Sequence, residues 1–374
     1  MNILIDIGHT PQFNFYKNLI LTLAERGNHV YVVVLKRGRL PQIAQYELRN
    51  IPNVEVVAIG KHRMNKWSAI LESNLLRIFQ MLWWSFGKKI DVVLANGVIA
   101  HIVGWVHCVP CFAFDDDPQV WDYRPKLFFC TQSAYCIYES QKPLSPKAKI
   151  LPCLKEWAYL APNVFKHDIG ALAEYGVQPK QYLFLREVSV GTVNYAGQAS
   201  GAVLGIVPEI QKMQAEHPSL KVLLSLEEKH RRAEYPADWI LLQEPLKDIH
   251  SLIYYSAGLI SSGDSMAREA ALLGVPAYYL GIRYDMPANA AAAKVAQLQN
   301  QKTQLIADWL HNTLSISPAT AELHQQQLRT HINAAFIDIN AYMLSLVENV
   351  KNKTNGKIDN FLVCAKFAHT KKHI

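Results

Sequence analysis

Short apolar runs alternate with stretches of helical periodicity along most of this chain. "NILIDI" (2–7), "HVYVVVL" (29–35), "VEVVAI" (54–59), "DVVLA" (91–95) and "CFAFD" (111–115) are Val- and Ile-rich and short, which predicts buried strands. Between the first two lies "PQFNFYKNLILTLAERG", where Phe13, Tyr16, Ile20, Leu23 and Ala24 recur at helical spacing and Gly27 supplies a stop. The second half repeats the alternation. "YLFLR" (182–186), "KVLLSL" (221–226), "WILLQ" (239–243), "AGLISS" (257–262) and "PAYYL" (276–280) read as strands, with helices expected over 203–216, 247–255, 264–274 and 289–298. Residues 140–180 carry five prolines and no long periodic segment, as a crossover between domains would. The pattern predicts an α/β protein of two doubly wound, Rossmann-like domains facing each other across a cleft, with ligands beyond the carboxyl ends of the strands. The expected division is a first domain over 1–165, a linker over 166–180, a second domain over 181–330, a C-terminal helix over 331–350 and a flexible basic tail over 351–374.

Length and charge narrow the picture. The 374 residues suffice for two domains with real cores, and the formal net charge is +7. Residues 351–374 hold six lysines against one acid, so the rest of the chain is near neutral overall and a nucleic-acid partner is not expected. The tail reads either as a disordered end or as a contact for anionic lipid. The chain opens on a strand pattern without a basic leader, and its longest apolar stretch, "LLRIFQMLWWSFGKK" (75–89), is interrupted by Arg77 and Gln80. A cytoplasmic protein is expected, with the inner membrane face as an alternative. That stretch and the preceding "KHRMNKW" (61–67) read either as a core-packed helix with basic ends or as a peripheral membrane contact. Cys108 and Cys111 form a CxxC without a second pair at zinc spacing, which predicts a buried structural pair.

The stretch "SSGDSMAREAALLG" (261–274) carries the strongest chemistry. After the predicted strand 257–262, Ser262, Gly263, Asp264 and Ser265 form the turn into a helix, where unpaired amides and the helix dipole suit a phosphate. Glu269 follows Ser265 by one helical turn and could accept from the hydroxyls of a ribose. The competing reading is a self-capped helix, with Asp264 or Ser262 as cap and Arg268 and Glu269 as solvated charges. In the first half, Gly8, His9 and Thr10 follow the first strand without a GxGxxG, so a dinucleotide is poorly supported. His9 is either a base toward an acceptor hydroxyl or a cap and packing residue, with Gly8 and Thr10 beside it on the acceptor side. Asp115, Asp116 and Asp117 follow the fifth strand; their mutual repulsion could raise one pKa and make it a base. Their D-x-D could also hold a divalent metal, but the phosphate-binding helix already supplies charge compensation, so no metal is expected.

The stretch "SSGDSMAREAALLGVPAYYL" (261–280) resembles the nucleotide-sugar-binding segment of GT-B-fold proteins, a superfamily that includes glycosyltransferases and UDP-N-acetylglucosamine 2-epimerases. "ILIDIGHTPQFNFYKNLILTLAERGNHV" (3–30), "FAFDDD" (112–117) and "FLREVSVGTVNYAGQASG" (184–201) resemble a little-characterised prokaryotic family of GT-B-like proteins. The resemblance implies that Glu269 contacts the ribose, that Ser262, Gly263, Asp264 and Ser265 line the diphosphate, and that Arg186 faces the same group. A guanidinium suits a diphosphate, although Arg186 could instead pair with Glu187. The expected activity is that of a glycosyltransferase, moving a sugar from a nucleoside-diphosphate sugar, UDP-linked, to a glycan or lipid-linked acceptor in polysaccharide biosynthesis, with no further cofactor. The alternatives are a UDP-sugar 2-epimerase and a non-catalytic sugar-nucleotide-binding subunit. The epimerases show a Thr-Glu-Arg-Pro-Glu stretch; "GIRYDMPANAAAA" (281–293) keeps only Arg283 and Pro287 of that pattern.

Overall fold

The computed structural model describes residues 1–61, 75–116, 129–138, 146–190, 197–243 and 248–356. Contacts divide the chain into two compact units. The first comprises Met1–Cys136, Gln141–Leu151 and Asp338–Ile374; the second comprises Ile137–Ser140 and Pro152–Ile337.

In the first unit β1 (Asn2–Ile7), α1 (Thr10–Glu25), β2 (His29–Lys36), α2 (Leu40–Leu48), β3 (Val54–Lys61), α3 (Arg77–Ser85), β4 (Val92–Ala95), α4 (Val98–Val106), β5 (Cys111–Asp115), β6 (Thr131–Cys136) and β7 (Ala148–Leu151) follow in turn. All seven strands are parallel, in the order β3-β2-β1-β4-β5-β6-β7. A parallel sheet is covered on both faces, so its strands are apolar at consecutive positions; Ile3, Leu4 and Ile5 are all fully buried. α1 stops where expected. Gly27 takes the left-handed φ of 74°, its N–H donates to the Ala24 carbonyl, and the Asn28 N–H reaches back to Leu23.

The second unit holds α5 (Trp157–Leu160), β8 (Tyr182–Glu187), α6 (Val207–Glu216), β9 (Lys221–Leu226), β10 (Ile240–Leu241), α7 (Ile249–Tyr255), β11 (Gly258–Ser261), α8 (Asp264–Leu272), β12 (Ala277–Tyr279), α9 (Pro287–Ala296), β13 (Gln299–Asn300), α10 (Ile306–Leu314) and α11 (Pro318–Ala335). Its six parallel strands run β10-β9-β8-β11-β12-β13. Leu183, Leu185, Leu224, Ile260 and Tyr278 of the sheet pack with Ile210 of α6 and Trp309 of α10. α12 (Ile339–Gly356) returns to the first unit, where Arg26, the C-cap residue of α1, pairs with Glu348 and Lys149 lies over the Tyr342 ring.

Several expectations are corrected. β6 and β7 occupy the region around the predicted crossover; "TQSAYC" is polar enough to hide a strand, yet Thr131 and Ser133 are buried between neighbours. The stretch 166–180 is no free linker but part of the second unit. Its Lys180 is buried and donates to the Tyr254 and Ser256 carbonyls and to Gln325. Burial lowers that ammonium to a pKa of about 8. The single helix expected over 331–350 is two, α11 and α12. Phe336 turns extended, the Ile337 N–H donates to the Pro152 carbonyl, and Asp338 accepts from the Ala341 N–H to start α12. α12 runs into the predicted tail, of which 357–374 lies outside the described residues. Among the described residues, no helix is long and apolar enough to cross a membrane.

Candidate functional site

In the second unit, β8 and β11 lie side by side, with Arg186 opposite Ser261 at their carboxyl ends. From β8 the chain proceeds to β9 and β10 on one side; β11, β12 and β13 fill the other. This reversal is where an open α/β sheet leaves a crevice for a ligand. The turn at 261–263 is held from within. The Ser261 hydroxyl accepts from the Gly263 N–H at 3.0 Å and donates to its carbonyl at 2.7 Å. The Ser262 hydroxyl, fully buried, accepts from the Val188 N–H at 2.9 Å, and the Ser262 carbonyl accepts from the Gln198 amide at 2.9 Å. α8 then begins with Gly263 as N-cap, a residue that has no side chain to cap the first turn. Ser265, in that turn, is half-buried.

Asp264 neither caps α8 nor points outward. It is buried, with its carboxylate 3.4 Å from Arg268 and 3.3 Å from Arg283, so two guanidinium groups offset its charge beside the helix mouth. Arg268 and Glu269 are not solvated charges either. Arg268 is buried against Glu156 at 2.8 Å and donates to Asn289 at 2.6 Å. Glu269, also buried, accepts from the Tyr159 hydroxyl at 2.6 Å and lies 3.5 Å from His250 Nε2. Burial alone would raise the Glu269 carboxyl. The charge and hydrogen bond of His250, the Tyr159 hydroxyl and Arg268 outweigh that and hold it below the usual carboxylate value. Tyr159 is displaced upward, first by its own burial and then by the Glu269 charge.

Arg186 donates to the Ser225 hydroxyl at 2.8 Å and pairs with Glu227 at 2.5 Å. Its expected alternative partner, Glu187, projects to the other face of β8, as neighbours along a strand must, and accepts from the Val203 N–H and the Tyr235 hydroxyl. Tyr159, His250 and Glu227 thus join this site without any sequence motif marking them, while Gln198 lies inside the 184–201 stretch, where the sequence assigned it no role. Arg283 was visible only as one matching position in an otherwise divergent stretch.

The first unit has the same kind of reversal between β1 and β4, where Asp6 lies opposite Ala95. Gly8, His9 and Thr10 leave β1 there. His9 is the N-cap residue of α1, but its side chain makes no cap hydrogen bond, which removes the capping role from its alternatives. The Gly8 N–H donates to Gln12 Oε1 at 2.7 Å. Asn96 leaves β4 at the same end and donates to the Phe114 carbonyl. Asp115 ends β5 and accepts from the Asp116 N–H at 2.9 Å; Asp117 lies outside the described residues. Beneath them, Asp6 and Arg77 form a buried ion pair at 2.5 Å, and Arg77 also donates to the Ile59 carbonyl. The CxxC is not a buried pair. Cys108 is exposed at a φ of 55°, whereas Cys111 is buried with its sulfur 3.7 Å from that of Cys130, the residue just before β6.

No protein-family model and no curated protein matches this chain. Solved structures do match in fold. A candidate UDP-N-acetylglucosamine 2-epimerase of Listeria monocytogenes superposes with a TM-score of 0.66 at 11% identity, over 94% of this chain and 97% of that one. The UDP-GlcNAc 2-epimerase of Neisseria meningitidis, bound to UDP-GlcNAc, gives 0.64 at 13%, over 94% and 100%. The glycosyltransferase VinC in complex with dTDP gives 0.61 at 10%, over 94% and 100%. The chain has the two-unit α/β fold of the GT-B type that these proteins share.

Proposed function

We propose that the chain is a sugar-nucleotide enzyme whose second unit holds a nucleoside diphosphate at the β8–β11 reversal. One observation carries this reading: an α-helix with glycine as its N-cap opens at that reversal and bears, one turn further, the buried Glu269, whose neighbours hold its carboxyl below the usual value. In this reading the first-turn amides of α8 bind the diphosphate, helped by Arg186, whose only charged partner among the described residues is the half-exposed Glu227. Asp264, Ser265 and Gly263 shape the mouth, and Ser262 supports it from behind. Glu269 accepts from the ribose hydroxyls, kept ionised and oriented by Tyr159 and His250. Transfer to a glycan or lipid-linked acceptor then needs little from the protein beyond stabilising the departing diphosphate and removing one acceptor proton, the task given to His9 or to an acid among Asp115, Asp116 and Asp117. No resident cofactor enters this scheme.

A second reading, 2-epimerisation of a UDP-sugar, is supported by two of the fold neighbours, the epimerases that superpose with TM-scores of 0.66 and 0.64 against 0.61 for the transferase VinC. In that reaction the C2 proton is removed as UDP leaves and is returned on the opposite face as UDP adds back. Calorimetric titration with UDP, GDP, CMP and dTDP comes first. One diphosphate is expected to bind, and Glu269→Ala is expected to weaken it about 10- to 100-fold, the loss of charged hydrogen bonds. NMR of the protein with the matching sugar nucleotide then separates the readings. A C2 epimer appearing without acceptor assigns the epimerase; diphosphate release that requires an added acceptor assigns the transferase; tight binding without turnover assigns a binding subunit. If no diphosphate binds, the site is lost and all three readings go with it.

A further inference from the structure

α3 is amphipathic in the wrong sense for a helix that faces water. Its one charged residue, Arg77, is turned inward onto Asp6, and Met81 and Ser85 are buried with it. The opposite arc carries Leu75, Leu76, Phe79, Trp83 and Phe86, at spacings that place them on one stripe about 100° wide. All five are exposed: Phe79 to 67%, Trp83 to 83% and Phe86 to 61%. The two adjacent tryptophans are separated by this geometry. Trp84 packs edge-on to Tyr31 against the core of the unit, while Trp83 stands in solvent. The stripe continues onto α4, because the Phe86 ring lies 6.3 Å from that of His107 and Trp105 and Val106 beside it are also exposed. A contiguous aromatic surface of this kind marks an interaction site.

Charge selects the partner. Between residues 26 and 114 the chain has eleven lysines and arginines and only four carboxylates; Arg26 and Arg77 are paired with Glu348 and Asp6 from outside that stretch, and the segment that includes α3 and α4 remains basic with those two set aside. Of those four, Glu47 is paired with Lys17 and Glu55 with Lys88. Exposed lysines bracket the stripe. Lys36 and Lys61 are register partners at the ends of β2 and β3, where Gly60 packs on the Arg77 side chain; Lys89 follows Phe86 at the other end. Two copies of so basic a face repel each other, which disfavours self-association through it. Aromatic side chains flanked by lysines suit the headgroup region of an anionic bilayer, with the rings entering the acyl boundary and the ammonium groups meeting lipid phosphates. We propose that α3 and the adjoining end of α4 dock the first unit on an anionic membrane surface. This is independent of the sugar-nucleotide reading.

The test is co-sedimentation of the full chain with vesicles of phosphatidylcholine alone and of phosphatidylcholine with about one third phosphatidylglycerol. Binding to the anionic vesicles is expected, with little to the neutral ones and a sharp loss at about 0.5 M salt. The double variant Phe79→Ser, Trp83→Ser removes two solvent-facing rings, so its urea unfolding midpoint should match that of the parent while its vesicle affinity falls about tenfold or more. Failure of the parent to sediment overturns the proposal. So does a variant that binds as the parent does, since that result moves the contact to other basic sequence such as residues 351–374. A parent that is dimeric without vesicles and made monomeric by the variant also overturns it, in favour of self-association.

Discussion

Two arginines decide much of the local chemistry, and each is buried where its helix alone would place it in water. Arg77 meets Asp6, and Arg268 meets Glu156 and Asp264. A buried ion pair is weak evidence for stability, but removing one partner strands the other charge. Arg77→Ala should therefore cost about 3–5 kcal/mol, whereas Asp6→Leu combined with Arg77→Met should recover most of that; urea unfolding of the three proteins measures both. Glu269 gives a pH-dependent counterpart. Its folded pKa lies below the unfolded value, so its contribution is fully present above the unfolded value of about 4.3 and disappears as pH falls through the lowered folded one. The stability gap between the parent and Glu269→Gln should accordingly be constant at neutral pH and close on acidification below about pH 4. The serines, glycine and acids of 261–269 were legible as a candidate site because they cluster in sequence. The partners that set their behaviour arrive from three other segments: Glu156 and Tyr159 from α5 with its N-cap residue, His250 from α7 and Arg283 from the loop before α9, and of these only Arg283 had left a trace in the sequence.

At the level of elements, apolar runs and glycine stops carried most of the assignment. β1, β5 and β9 match their predicted ranges, and α8 begins at the predicted residue. The misses share a cause. β6 contains Thr131, Gln132 and Ser133, and β13 is only two residues long, so neither shows an apolar run. Sheet position makes them strands, because each completes the hydrogen bonds of a parallel neighbour. Gly274, which closes α8, shows how a stop can be fixed twice over. Its φ is 72°, and a methyl group there would stand 2.6 Å from the Gln325 carbonyl of α11. Gly274→Ala should destabilise the second unit by more than about 1 kcal/mol. Gly205→Ala, with nothing within 4 Å of the added carbon, should shift the unfolding midpoint little, by no more than about 0.5 kcal/mol.

For the whole molecule, the chain is not partitioned in simple sequence order. α12 belongs to the first unit, with Ile339, Met343 and Val347 buried, although the second unit separates it from α1 in sequence. Truncation after residue 337 should lower the stability of the first unit and spare the second; hydrogen exchange resolved by segment would show protection lost in α1 and kept in β8, β9 and β11. The exposed stripe of α3 belongs to this scale as well, since sequence periodicity left open which face of that helix is covered. The α/β alternation, the parallel sheets and the small-residue turn at 261–265 could be read along the chain, because periodicity and turn chemistry are properties of neighbouring residues. Packing in three dimensions was needed to show that Arg77 turns inward and Trp83 outward, that Arg186 meets Glu227 and not Glu187, that Asp264 lies between two arginines, and that the last helix crosses back. Each of those depends on which surfaces compete for burial once distant segments pack together, and spacing along the chain holds no record of that competition.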